Sequence, residues 1–334
     1  MTHPLDAFSM PERLVAFDIG AAGDLQRNWK PYAALLSVYA FDAREGSIRN
    51  PAPELRLEFN KIECAVGGAV QDDRPFYISR GRGGSSFFKF DPVWANRVTP
   101  TTYSELVEET TLPVRTLSDV IASGDAPMPH FMKLDTQGSE LEILRALEPP
   151  HRKELMGLIS EVEFLPVYKD QPLFEDVHAE MRSYGLTIYD LRTHRMFRPA
   201  GGERFSWFRE HKGFARPSVE LSGRLLAGDA LYIRDFEDRP PGSLIEVKRL
   251  ALVLLMHNFF DQAWAMIDSA ERETIIDPED SGVLKEAVVD LCPSPRYYQR
   301  SGQLCEYINR LREALGFEGP RRVTGWTVRS WPNQ

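Results

Sequence analysis

Cysteine is scarce in this chain of 334 residues. There are three, Cys64, Cys292 and Cys305, an odd number at wide spacing. That excludes a disulfide framework and the paired spacing of a structural zinc site, and it points to a reducing compartment. No H-x-x-x-H pair and no dense carboxylate run is present either, so no metal centre is expected. Long apolar runs are missing: the most apolar stretch, LALVLLMHNFF, is too short to span a bilayer. The opening MTHPLDAFSMPERL lacks the basic start and apolar core of a secretory leader. A cytoplasmic location is the resulting expectation. Basic excess is also absent. Forty Lys and Arg stand against 49 Asp and Glu, a formal charge of −9, which disfavours a general polyanion binder and makes nucleic acid an unexpected partner. A local basic patch stays open, because Arg192, Arg195 and Arg198 lie close together.

What is present is an ordinary globular composition, 43% hydrophobic and 27% charged, at a length that suits one large α/β domain with an added segment. Leu14–Phe17 is an apolar run ending at Asp18, followed by the turn IGAAGD and a short helix candidate ending near Leu36. SVYAFDA then reads as a second buried strand ending at Asp42, which completes a βαβ unit. KIECAV is a third strand candidate, RPFYISR another, and GRGGSS a turn, followed by a polar stretch rich in Thr and Glu up to Leu112. TLSDVI starts a short helix with Thr116 or Ser118 as its cap. HFMKLD is a strand with a helix, TQGSELEILRAL, directly behind it. LMGLISEVEF, the helix PLFEDVHAEMRSYG and the late strands LTIYDL and DALYIRD follow, the last two separated by a loop rich in aromatic residues and arginine. This alternation predicts a doubly wound, mostly parallel sheet. After Arg239-Pro240-Pro241-Gly242 the strands stop. A capping box at Ser243 and Glu246 opens an apolar helix, and further helices are expected near Val283–Leu291 and Gln303–Leu315.

Ligands of open α/β sheets bind at the carboxyl ends of the strands. A glycine turn with Gly20 and Gly23 stands at the first such end, and Asp42 at the second is placed to accept both ribose hydroxyls of a nucleoside. The full G-x-G-x-x-G pattern is absent. An acid at Asp18 would face the phosphates of a dinucleotide, whereas it suits a cofactor that carries an amino group and a sulfonium. In FMKLDTQGSELEIL a strand delivers Lys133 and Asp135 to one face. Gly138 permits a tight turn, and Glu140 falls in the first turn of the following helix, where the helix dipole favours a carboxylate. Glu161 and Glu163 share a face at the next strand end. Alternatives at these positions are plain ones: a helix-start carboxylate, an ion pair, a solvated strand end.

The run Lys133-Leu134-Asp135-Thr136-Gln137-Gly138-Ser139-Glu140 resembles the signature of FkbM-family methyltransferases, and Asp18-Ile19-Gly20-Ala21 is similar to that family's first turn. VRTLSDVI before the signature, ISEVEFLPVYKDQPLF after it, and Trp29 and Pro31 extend the likeness over residues 13–236. The resemblance implies a class I, Rossmann-like fold: a seven-stranded sheet whose last strand is antiparallel, spanning residues 1–240, with a helical appendage over 241–334. It implies S-adenosylmethionine as cofactor and, as reaction, O-methylation of a hydroxyl on a sugar, polysaccharide or small natural-product acceptor. By the same resemblance Asp18, Gly20, Ala21 and Gly23 line the methionine part of the cofactor, Asp42 and Ala43 the ribose, and Cys64 and Ala65 the adenine. Ser86 closes over the cofactor, and Asp135 lies near the methyl group or the acceptor. Asp135 is the first candidate for the catalytic base and Glu163 the second, with Lys133 beside them. Ala22 and Asp24 depart from the usual glycine pattern of the turn. The competing readings are an NAD(P)-dependent oxidoreductase and a non-catalytic methyltransferase-like scaffold.

Overall fold

The computed structural model describes residues 3–93, 104–196 and 224–293. Cys305, Arg198, the aromatic residues from Phe197 to Phe214 and the helix expected over Gln303–Leu315 lie outside them. Ten strands are described: β1 (Leu14–Ile19), β2 (Leu36–Phe41), β3 (Glu58–Ile62), β4 (Ala65–Val66), β5 (Gln71–Ser79), β6 (Leu106–Arg115), β7 (Phe131–Leu134), β8 (Gly157–Glu163), β9 (Leu186–Met196) and β10 (Arg224–Arg234). Seven of them form one sheet in the order β3-β2-β1-β7-β8-β10-β9. From β3 to β8 every pairing is parallel, and β10 runs antiparallel to both β8 and β9. This is the doubly wound, seven-stranded architecture expected from the sequence. β1 reads as a continuous apolar run because it is buried on both faces, as the middle strand of a parallel sheet must be.

Each face has its own core. On one side Phe17, Ile19, Met132, Leu134 and Leu158 pack against α1 (Leu117–Ala122), α2 (Glu140–Arg145) and, beyond α3 (Pro149–Glu154), α4 (Phe174–Ser183). On the other, Leu14, Ala16, Leu36, Val38 and Phe131 pack against α5 (Leu244–Met256), α6 (Phe260–Arg272) and α7 (Pro278–Leu291). The C-terminal helices thus cover one face of the sheet and share its core. The physical reason lies between β1 and β2, where the expected helix is a single 3₁₀ segment, Lys30–Leu35, opened by Pro31. That segment is too short to cover the face. α5 fills the gap and is buried almost all round: Leu250 to Leu255 are fully enclosed. The Tyr32 hydroxyl donates to the Leu255 carbonyl (3.0 Å) and the Asn28 amide to that of Met256 (3.3 Å), fastening the β1–β2 connection to the end of α5. Ser243 caps α5 as expected, its hydroxyl accepting from the Glu246 N–H at 3.3 Å.

Two expectations are corrected. KIECAV is not one strand: the chain breaks at Glu63-Cys64, and Ala65-Val66 joins a second sheet of order β4-β6-β5. The end of the polar stretch, from Leu106 to Leu112, belongs to strand β6, paired antiparallel with β5. Both sides of most of β6 meet solvent, so it lacks the apolar alternation that betrays a strand. Arg74 of β5 anchors this second sheet through a two-pronged ion pair with Glu142 of α2. No helix among the described residues is long and apolar enough to cross a membrane.

Since α5 completes the core beneath β1 and β2, Leu254→Ala should destabilise the fold by about 2–5 kcal/mol, and a chain ending at residue 240 should lose its cooperative unfolding transition. Denaturant titration followed by circular dichroism checks both.

Candidate active site

Parallel registry sets the site. Asp18 of β1 pairs with Ala40 and Lys133, and Phe41 of β2 pairs with Ile19 and Ile62, so the ends of β3, β2, β1 and β7 lie side by side. Asp18, Asp42, Cys64 and Asp135 therefore leave one edge of the sheet in a row. The turn after β1 is held against its neighbours by backbone bonds: Gly20 and Ala21 donate to the Phe41 carbonyl (3.0 and 2.9 Å), and Gly23 donates to that of Ser47 (3.2 Å). Gly20 has a positive φ of 79°, and a Cβ there would sit 2.0 Å from the Asp135 carbonyl oxygen. Two constraints, a left-handed backbone and the passage of the signature strand's end, make this glycine obligatory. Gly23, at φ 118°, faces open space.

Behind the turn a buried lysine bridges two acids. Lys133 Nζ donates to Asp135 Oδ2 at 3.1 Å and lies 3.7 Å from Asp18 Oδ1. Burial works to lower the Lys133 pKa, but Asp135 and Asp18 outweigh it and hold it above the ordinary value, so the ammonium stays charged. Burial likewise works to raise Asp135; Lys133 and the bonds from Glu161 and Gln137 prevail and hold it below the ordinary carboxylate range. At Asp18 the balance is reversed. Burial raises its pKa, with Lys133 and the Gln26 amide, 3.5 Å from Oδ2, opposing only in part. Its Oδ1 is enclosed without a hydrogen-bond partner among the described residues.

The signature turn is built by Glu140. Its carboxylate accepts from the Thr136 N–H (2.6 Å), the Thr136 hydroxyl (3.0 Å) and the Gly138 N–H (2.9 Å). The helix-start reading of this residue is thereby filled by a turn-closing role. Gln137, in a left-handed conformation at φ 61°, donates from its amide to Asp135 Oδ1 (3.0 Å) and to Glu161. Burial, reinforced by Asp135, Glu163 and Glu140, pushes Glu161 well above the ordinary range. Glu163 is pushed up in the same way by burial, then Glu140 and Asp135, with Gln171 opposing. The site thus holds a charged lysine, an ionised aspartate and two glutamates with high proton affinity.

Other expected residues sit as follows. Asp42 is buried, and its Oδ1 accepts from the Arg44 N–H at 2.8 Å and the Arg44 side chain at 3.4 Å; Ala43 lies between them in sequence. Cys64 is half-buried behind β3, with its thiol pKa raised by burial. Ala65 is drawn into the second sheet by pairing with Val114. Ser86 is buried and donates to the Gln137 carbonyl at 2.6 Å, which brings it onto the signature turn. Tyr168, from the stretch after the signature, is buried, stacks on Phe90 with ring centres 4.5 Å apart, and donates to Gln137 Oε1 at 2.8 Å. His194 Nε2 lies 3.4 Å from Asp229 Oδ2 on the antiparallel strands. The weight of Gln137 escaped the sequence reading. Its spacing of two from Asp135 was the one available signal, whereas nothing in the sequence joins it to Ser86 or Tyr168. Among the described residues no three His, Cys, Asp or Glu side chains are grouped to hold a metal ion.

The model of the methyltransferase FkbM domain matches residues 18–187, about half of the chain. No curated protein matches the sequence. Among solved structures, the Burkholderia thailandensis 1,6-didemethyltoxoflavin-N1-methyltransferase, with bound 1,6-didemethyltoxoflavin and S-adenosylhomocysteine, is similar at 10% identity and a TM-score of 0.24, over 67% of this chain and 72% of that one.

Gly20→Ala should destabilise by about 1–2 kcal/mol from the left-handed backbone alone, with the clash at Asp135 added. A thermal melt beside that of the parent chain measures it. Replacing Lys133 by Met strands two buried carboxylates and should cost about 3–5 kcal/mol near neutral pH. The loss should shrink in acid as those carboxylates protonate, which urea titrations at several pH values will read.

Proposed function

The chain belongs to the FkbM methyltransferase family, and from that membership we propose that it transfers a methyl group from S-adenosylmethionine to a hydroxyl oxygen of a sugar, polysaccharide or small natural-product acceptor. The observation that carries the reading is the unsatisfied Asp18 Oδ1 behind the glycine turn. A buried carboxylate oxygen that has no hydrogen bond, and only the Lys133 ammonium 3.7 Å away, fits a ligand that brings an ammonium better than one that brings phosphates. Gly23, with open space before it, allows close approach of a ligand to the backbone. Asp18, Gly20, Ala21 and Gly23 would hold the methionine part, Asp42 and Ala43 the ribose, and Cys64 and Ala65 the adenine, with Ser86 near them through the signature turn. When bound, S-adenosylmethionine supplies a methyl group already activated by its sulfonium.

The chain's own residues orient the acceptor, hold charge and take a proton. Both Asp135 oxygens are engaged, Oδ2 by Lys133 and Oδ1 by Gln137, and its pKa is low. Asp135 is therefore a standing negative charge and a weak base. We assign the proton to Glu163, whose raised pKa makes it a stronger base than an ordinary glutamate. Lys133 stays charged and keeps Asp135 ionised. The family membership favours this reading over the dinucleotide oxidoreductase.

In titration calorimetry, S-adenosylmethionine and S-adenosylhomocysteine should bind while NADH does not, and Asp42→Ala should weaken both by about tenfold or more, the worth of a hydrogen bond to a charged group. Silence from both ligands with a folded sample would sink the proposal. With an acceptor in hand, Glu163→Gln should slow transfer by about 10²-fold or more. Because Glu163 must be ionised to act and its pKa is raised, the acid limb of the rate profile should fall above the usual glutamate range, and that limb should vanish in the variant.

A further inference from the structure

Gln137 is the one residue of the signature turn whose side chain meets two carboxylates at once. Its backbone is left-handed, at φ 61°, a conformation that disfavours a residue with a Cβ and persists only where the surroundings enforce it. Four hydrogen bonds enforce it here. The Ser86 hydroxyl donates to the Gln137 carbonyl at 2.6 Å, and the Tyr168 hydroxyl donates to Oε1 at 2.8 Å. The amide nitrogen donates to Asp135 Oδ1 at 3.0 Å and to Glu161 Oε2. An amide nitrogen has two hydrogens, and both are directed at carboxylates. The ionised Asp135 carboxylate decides which end of the amide faces the acids, since a flipped amide would turn a carbonyl oxygen toward it.

We propose that Gln137 is a positioning residue: its amide fixes the orientation of Asp135 and Glu161 relative to each other, and Ser86 and Tyr168 hold the amide in the one arrangement that does so. The two N–H groups point at lone pairs of Asp135 Oδ1 and Glu161 Oε2, so one amide ties both carboxyl groups. Lys133 holds the other Asp135 oxygen, Oδ2. The arrangement also makes the signature turn depend on distant chain segments. Ser86 follows β5, and Tyr168 is stacked on Phe90 and lies within 3.1 Å of the Gly84 carbonyl. The pair keeps its geometry only while residues 84–90 are packed against Tyr168. This inference rests on the proposed methyltransferase reading for the use made of Asp135 and Glu161, but not for the geometry itself.

The test is the melting temperature of Gln137→Glu against the parent chain from about pH 5 to about pH 8, a range across which buried carboxyls with raised affinity lose their protons. The added carboxyl would face Asp135 and Glu161, with Glu163, Glu140, Asp18 and Lys133 nearby, so its folded-state pKa should be raised. Stability is then present at low pH and lost as pH rises through that value. The two melting temperatures should approach each other in acid and part by on the order of 3 °C or more at the alkaline end. Tyr168→Phe, which keeps the ring on Phe90 and removes only the hydroxyl, guards against a variant that does not fold; its difference from the parent should likewise vary with pH. Gln137→Glu titrates on its own account, so the deciding result is Tyr168→Phe: a difference from the parent that is flat in pH would mean that the amide does not govern the acids, and the proposal would fall. S-adenosylhomocysteine calorimetry on the same samples keeps the two readings apart: a parent chain that does not bind it overturns the proposed function and leaves the Gln137 result standing.

Discussion

A single buried ammonium holds the site together. Lys133 comes from the strand beside Asp18 and precedes Asp135 by two residues, so its side chain rises between two carboxylates that would otherwise repel each other in a medium of low polarity. This pairing stands at a sheet edge where an open α/β fold receives its ligand. A buried ion pair is weak evidence of stability, because desolvation offsets most of the attraction. It is better evidence of purpose. A row of apolar residues would pack as well at that edge, but it could not present a carboxylate oxygen without a hydrogen-bond partner to an incoming cation.

The rest of the fold serves to keep that edge in register. Gly20 must pass the end of β7 so closely that a methyl group would collide with Asp135. The turn is sewn to the end of β2 by two backbone bonds, so β1, β2 and β7 cannot shift independently. The face beneath them is closed by α5, far away in sequence and tied to the β1–β2 connection through Tyr32 and Asn28. The helices after residue 243 therefore act on the site through the core, whatever else they do.

Much of this is legible before any coordinates. Strands buried on both faces announce themselves as apolar runs, and β1, β2, β7, β8 and β10 are all of that kind. The acids at their ends stand out against those runs. Legibility fails where burial is one-sided or where a role depends on a partner far along the chain. β6 carries Glu108, Glu109 and Thr110 on largely solvated faces, so no alternation marks it. Glu63-Cys64 is a break between two sheets that the run KIECAV conceals, because both halves are equally suited to a strand. Glu140 looks like a carboxylate placed for a helix dipole, and only the three bonds it accepts show that it closes the turn. Gln137 is polar, sits in a turn and reads as a solvated residue until Ser86 and Tyr168 are seen above it.

The carboxylates divide into two classes by environment alone. Asp135 has a cation and two donors and stays ionised, whereas Glu161 and Glu163 face other acids and hold their protons more tightly. Titratable groups driven apart in this way are the usual sign of an assigned acid or base. A sequence reading weighs Asp135 first because it stands in the signature, but the same ammonium that draws Asp135 into the site also quenches it as a base. On the proposed reading, the residue suited to take a proton is then the one that Lys133 does not reach. Glu163, one strand over and carrying a raised pKa, meets that condition.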